Sequence, residues 1–177
     1  VYNVAVGYHA GTNVTTGTFN VLLGGTSGDA LTDADFNVAV GYSALGTDTL
    51  GSRSVAVGHS ALNNQNFTTA TQTYNTAVGF FAGLATTTGI QNTLIGGEAG
   101  DALTTGSQNV AVGAFALTSE TTSANNVAIG REALKTQDGA THNVAVGRTA
   151  GSLVTTGSRN TFLGSQSGTA TTTGERN

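Results

Sequence analysis

The chain has 177 residues, with 6 Lys or Arg against 10 Asp or Glu, and a formal net charge of −4. Charged residues are only 9% and the cations are scattered, which argues against a nucleic-acid surface, where phosphate neutralisation supplies much of the affinity. The absence of Cys excludes disulfides, thiolate metal sites and thiol catalysis, and no apolar run approaches the roughly 20 residues of a membrane-spanning helix, so direct membrane insertion by this segment is not expected.

Residues Asn3 to Phe19 read "NVAVGYHAGTNVTTGTF", and the chain then begins again. Openings fall at Asn3, Asn20, Asn37, Ser54, Asn75, Asn92, Asn109, Asn126, Asn143, Asn160 and Asn177, every spacing being 17 except the 21 between Ser54 and Asn75. Residues 1–177 therefore form a single array of ten full repeats, with four extra residues within 63–74. The array stops mid-pattern at both ends, so it is expected to be a truncated piece of a longer solenoid, whose ends need caps. No signal peptide is read, because the first residues already belong to the repeat.

Each repeat is too short for a helical hairpin. The consensus is Asn-(Val/Thr)-Ala-(Val/Ile/Leu)-Gly-x-x-Ala-(Gly/Leu)-x-x-x-Thr-Thr-Gly-x-x, numbered here as columns 1 to 17. One β-favouring run followed by glycine turns predicts one coil of a parallel β-solenoid, all-β, with coils about 4.8 Å apart. Apolar residues at fixed intervals argue against disorder, and glycine lacks the every-third-residue period of collagen.

Column 5 is Gly in every repeat: Gly7, Gly24, Gly41, Gly58, Gly79, Gly96, Gly113, Gly130, Gly147 and Gly164. This predicts a left-handed or crowded turn. The column 1 asparagines are expected to stack and to bond to one another and to turn backbone. Column 9 alternates in pairs, from Gly11 and Gly28 to Leu45 and Leu62 and onward, a superperiod of four repeats. In a strand, columns 2 and 4 share one face and columns 1, 3 and 5 the other. A coil with two β-branched residues and two alanines has little apolar side chain to offset its ordering, so the small face of columns 1, 3 and 5 is expected to pack on copies of itself in an oligomer.

Columns 6 and 7 follow the glycine turn and vary most, holding Tyr8, His9, Tyr42, His59, Phe80, Phe81, Phe115 and Arg131. The aromatics Tyr8, Tyr42, Phe80, Phe81 and Phe115 are candidate contacts to a receptor or glycan. The insertion, "NNQNFTTATQTY" over Asn63–Tyr74, is expected to bulge outward with Phe67 at its tip as the best single contact.

Catalytic and cofactor chemistry finds no constellation. His9, His59 and His142 fall in columns 7, 6 and 17, which stacking cannot bring together. Asp29 and Asp101 share column 10 but lie four coils apart, about 19 Å. The Gly-Gly-x-Gly-x-Asp calcium nonapeptide is absent. No enzyme activity, metal or cofactor is expected. The like charges Arg131 and Arg148 in column 6, and Arg159 and Arg176 in column 17, repel one coil apart and read as solvated. Regular Thr-Thr-Gly columns suggest an alternative, an ice-binding β-solenoid with a Thr ladder. Asp33, Leu50 and Gly139 interrupt it.

"NVAIG" at Asn126–Gly130 and the many "NVAVG" copies resemble the "SVAIG" core of the YadA-like head repeats of trimeric autotransporter adhesins. The array is also similar to repeats of phage tail fibres, and the likeness covers the whole chain. It implies a left-handed parallel β-roll three chains wide, each coil giving an inner and an outer strand. It also implies a structural and adhesive fibre segment, on a cell surface or a virion, whose partners are its own copies and a host or matrix receptor or surface glycan.

Overall fold

The computed structural model describes residues 2–177. Val and Ala alternate in columns 2 to 4, and each such triplet forms a short strand. The strands are β1 (Val4–Val6), β2 (Val21–Leu23), β3 (Val38–Val40), β4 (Gly51–Ser52), β5 (Val55–Val57), β6 (Thr71–Gln72), β7 (Thr76–Val78), β8 (Thr93–Ile95), β9 (Val110–Val112), β10 (Val127–Ile129), β11 (Val144–Val146) and β12 (Thr161–Leu163). Ten of them, all but β4 and β6, make one parallel sheet in chain order. Pairing is in register by column, as Val110, Ala111 and Val112 opposite Val127, Ala128 and Ile129. The chain is an all-β parallel solenoid of about nine turns, with no helix among the described residues.

The second strand that the resemblance implies does not form in every coil. Outside columns 2 to 4 the chain runs through stacked turns whose N–H groups still donate to the next coil, as Gly11 to Ser27 and Thr15 to Thr32. Only β4 and β6 add a further pair, Gly51 with Thr71 and Ser52 with Gln72. Columns 7 and 17 carry non-glycine residues at positive φ in coil after coil, for instance Phe115 at 59° and Gln108 at 60°. Each left-handed residue carries strain that the stacked ladders on either side hold in place.

The two faces of the strand are used in the opposite way to the sequence expectation. Column 3 is fully buried within the coil, as Ala39, Ala56 and Ala111 are, together with the column 8 alanines. The small face therefore packs inside its own chain rather than against a neighbour, and the same interior takes a larger column 3 side chain where column 9 is Gly, as at Leu22, Leu94 and Phe162. The β-branched residues of columns 2 and 4 point outward and are half-buried or exposed along the rod.

Core packing explains the four-repeat superperiod. Where column 9 is Gly, column 3 of the same or the next coil holds a large side chain. A β-carbon on Gly83 would lie 2.6 Å from Leu94 Cδ1, and one on Gly100 would lie 2.8 Å from Leu94 Cδ2. Leu22 fills the same space against Gly11 and Gly28, and Phe162 against Gly151 and Gly168. In the coils opening at Asn37, Ser54, Asn109 and Asn126, column 3 is Ala and the fully buried Leu45, Leu62, Leu117 and Leu134 fill the interior from column 9. One large column 3 side chain thus fills the space left by a pair of column 9 glycines, and column 9 leucines fill it elsewhere.

The invariant glycines have a steric cause within one chain. Gly113 adopts φ +131°, and a β-carbon there would sit 2.6 Å from the carbonyl carbon of Gly130 in the next coil. That is backbone against backbone, which no rotamer change relieves.

The column 1 asparagines from Asn20 to Asn160 are buried staples. Asn126 donates from Nδ2 to the Ala140 carbonyl at 2.9 Å, closing its own coil, and its Oδ1 accepts the Asn143 N–H at 3.0 Å, fixing the next coil. The same pair of bonds recurs from Asn20, Asn37, Asn75, Asn92, Asn109, Asn143 and Asn160. Asn3 does likewise, to the Gly17 carbonyl and the Asn20 N–H. The expected bonds to turn backbone thus recur along the array, while the amide-to-amide bonds expected beside them are occasional, for example Asn109 to Asn92 at 3.3 Å.

Ser54 breaks this series. Its hydroxyl instead accepts from Gln65 Nε2 at 2.9 Å and lies 2.6 Å from Thr73 Oγ1, while Gln65 Oε1 accepts from Asn75 at 2.8 Å. The buried Asp48 carboxylate joins this patch, accepting from Gln65, Phe67 N–H and Gly51 N–H. A second buried carboxylate, Glu120, is held by backbone N–H groups of Thr121, Thr122 and Ser123 and by Gln137.

Candidate functional site

Three surfaces distinguish this rod from a plain stack of coils. The first is the outward strand face. Columns 2 and 4 form a mainly apolar stripe along the ten main strands, interrupted in column 2 by Thr76, Thr93 and Thr161, with Ile95 at 38% and Ile129 at 37% exposure in the middle of the array. Monomeric surfaces rarely keep so long a contiguous apolar strip uncovered.

The second surface is the corner at columns 6 and 7, directly after the invariant glycine. Tyr8 is 77% exposed, Tyr42 58% and Phe80 50%, whereas Phe81 and Phe115 are half-buried. Stacking brings Tyr42, His59, Phe80 and Phe81 into one cluster. The His59 ring centroid lies 5.4 Å from each of the three, and Phe80 and Phe81 are 3.9 Å apart. Tyr8 with His9 lies toward the N-terminal end of the rod, apart from this cluster, at 4.1 Å from each other. Phe115 sits in a later coil with Lys135 Nζ 6.0 Å from its ring.

The third surface lies at column 17 and was not foreseen. Tyr2, Phe19 and Phe36 stack face to face at successive 5.1 Å steps, and Arg53 continues the column with its guanidinium 4.9 Å from the Phe36 centroid. The signal was present in the sequence, since the three aromatics fall at 17-residue intervals. Because the rings cover one another, they show mainly their edges to solvent.

Phe67 does not project. It is only 7% exposed, and its N–H donates to Asp48 at 3.0 Å while its carbonyl accepts from Leu50 N–H at 3.1 Å. Repeat pairing continues as far as Phe67, and the extra length emerges after it. Thr68, Thr69 and Ala70 are the exposed tip. The apolar ring is drawn under the loop it was expected to crown.

The loop raises one wall of a cleft of about 270 Å³ whose other lining includes Asp33, Asp35, Phe36 and Arg53.

His9, His59 and His142 remain apart, as do Asp29 and Asp101. Among the described residues no group of three or more His, Cys, Asp or Glu is placed to hold a metal. Arg131 pairs with Glu132 at 2.6 Å. The adjacent threonines face different ways, although columns 13 and 14 form a bend rather than a strand. Column 13 hydroxyls, such as Thr87 and Thr104, donate to the next coil's carbonyl, and column 14 residues, such as Thr88 and Thr105, are exposed. The column 14 row is broken at Asp33, Leu50 and Gly139.

No protein-family model, curated protein or solved structure matches the chain.

Proposed function

We propose that the chain is a structural and adhesive fibre segment, part of a trimeric surface adhesin or a phage tail fibre, acting outside the cell or on a virion. The outward apolar stripe of columns 2 and 4 carries this reading. A surface that repeats every coil over ten strands is matched along its whole length only by another surface of the same rise and period. A second copy of this chain has that period, and closed association of identical chains is the common outcome. Three copies is the number implied by the resemblance of "NVAIG" to adhesin head repeats. The stacked coils then form a rod, and the aromatic corner with Tyr42, Phe80 and Phe81 is carried along it as the contact to a host or matrix receptor or surface glycan.

Sedimentation equilibrium of the isolated segment tests the assembly. A mass three times that of one chain is expected. A folded monomer at all concentrations would remove the fibre reading.

A further inference from the structure

Two departures from the repeat meet at one place, beside Arg53. Asp33 replaces the column 14 threonine, and the insertion ending at Thr71 and Gln72 supplies a wall found at no other coil among the described residues. Together with Asp35 and Phe36 they enclose the cleft of about 270 Å³. Arg53 continues the column 17 stack between Phe36 and Tyr74, 4.9 and 6.0 Å from their ring centroids, whereas other coils close the same corner without an aspartate at the Asp33 position or the inserted wall.

The polar groups in the cleft are incompletely used. Asp33 accepts only from Thr16 Oγ1 at 2.6 Å, through Oδ1. Asp35 accepts from Thr18 N–H and Oγ1 at 2.7 and 2.9 Å, also through Oδ1. The second oxygen of each has no protein partner among the described residues. Gln72 uses its Oε1 for Tyr74 at 2.6 Å and leaves its amide N–H groups free. The Arg53 guanidinium rests on Phe36 but takes no ion pair among the described residues, although two carboxylates line the same cleft. Donors and acceptors thus face one space without meeting.

We propose that this cleft binds a single neutral pyranose ring, such as a terminal hexose of a glycan. Vicinal hydroxyls donate to a carboxylate and accept from N–H groups at once, which is the bridging the cleft lacks. Arg53 lies over the Phe36 ring and beside Tyr74, which restrains its planar fork of donors toward the cleft. Phe36 is covered by Phe19 on one face and Arg53 on the other, so the sugar is recognised through its hydroxyls rather than by stacking on a ring. The volume lies at the lower end for ligand pockets, about 300 Å³ and above, which suits one ring and not a chain of them. Two carboxylates against one guanidinium leave the cleft net negative, which disfavours acidic sugars and phosphates. One chain builds the whole cleft, so this inference does not depend on the number of chains in the rod.

The test is a titration of the ¹⁵N-labelled segment with methyl α-mannoside, methyl β-galactoside and methyl β-glucoside, with N-acetylneuraminic acid as the anionic comparison. Saturable shifts of the Arg53 Nε and Gln72 side-chain signals are expected for at least one neutral glycoside, with Kd on the order of 1 mM. Arg53→Met keeps an apolar stem over Phe36 but removes the donors, and Asp33→Asn removes a charge at an exposed position. Each should weaken binding by roughly tenfold, the loss of about one charge-assisted hydrogen bond, with thermal melting unchanged. The proposal is overturned if no neutral glycoside shifts these signals, if N-acetylneuraminic acid binds as tightly, or if both variants bind as well as the parent.

Discussion

Gly113→Ala adds a single carbon where the structure leaves no space. That carbon would stand 2.6 Å from Gly130 C, 2.7 Å from Gly130 O and 2.9 Å from Arg131 N, whereas ordinary contact begins at 3.4 Å. The overlap is with backbone. Relief requires the next coil to move away and stretch the bonds that join them, such as Gly130 N–H to Val112 at 2.7 Å and Glu132 N–H to Ala114 at 3.0 Å. An overpacked site of this kind costs about 1–3 kcal/mol. Alanine at φ +131° adds strain of about 1–3 kcal/mol. Gly139→Ala separates the two effects. Gly139 also has positive φ, +84°, but a β-carbon there meets nothing within 4 Å. It should show the strain alone. The difference between the variants is then the overpacking part, about 1–3 kcal/mol, or a melting temperature lower by about 2–12 °C for Gly113→Ala. Thermal denaturation followed by circular dichroism reads this directly. Equal melting temperatures would refute the argument that the invariant glycine is required by its neighbour's backbone.

Asn126→Ala should cost about 1–3 kcal/mol in urea denaturation, because it strands the buried Asn143 N–H while the Ala140 carbonyl keeps its bond from Gln137, and Thr122→Ala on the exposed column should be near neutral. Leu94→Ala should cost about 2–5 kcal/mol by opening a cavity over Gly83 and Gly100. Gly83→Ala should be tolerated better alongside Leu94→Ala than alone, a non-additivity that double-mutant denaturation would detect and simple additivity would refute. Purified protein should leave growing ice crystals unfaceted, because column 13 hydroxyls are bonded to carbonyls and column 14 is interrupted; thermal hysteresis would favour the ice-binding alternative instead.

Much of the solenoid was legible because stacking makes every column an independent repetition of the same constraint. The 17-residue spacing gives the coil, and the Gly113 column and Asn126 column give its turn and staple. Strand alternation separates Val110 and Val112 from Ala111 but does not say which side is inside. Here the narrow coil decided it, taking the alanines inward and leaving the valines out. Phe67 misled for a related reason: an insertion marks where register is lost, but the 17-residue pairing of Leu50 with Phe67 is intact and the extra residues enter only after it. The column 17 stack of Tyr2, Phe19 and Phe36 needed only attention to period. The cleft needed the fold, since Asp33, Arg53 and Gln72 are well separated in sequence and share no motif.

The central claim is that the Val and Ile side of the strand faces other copies while the Ala side faces the chain's own core. The absence of Cys allows single-cysteine variants to test it with a short bismaleimide linker. Ile129→Cys, on the outward face, should yield covalently linked chains on denaturing gels. Ala128→Cys, fully buried within the coil, should not. Linkage through position 128 and not 129, or through neither, would contradict the account.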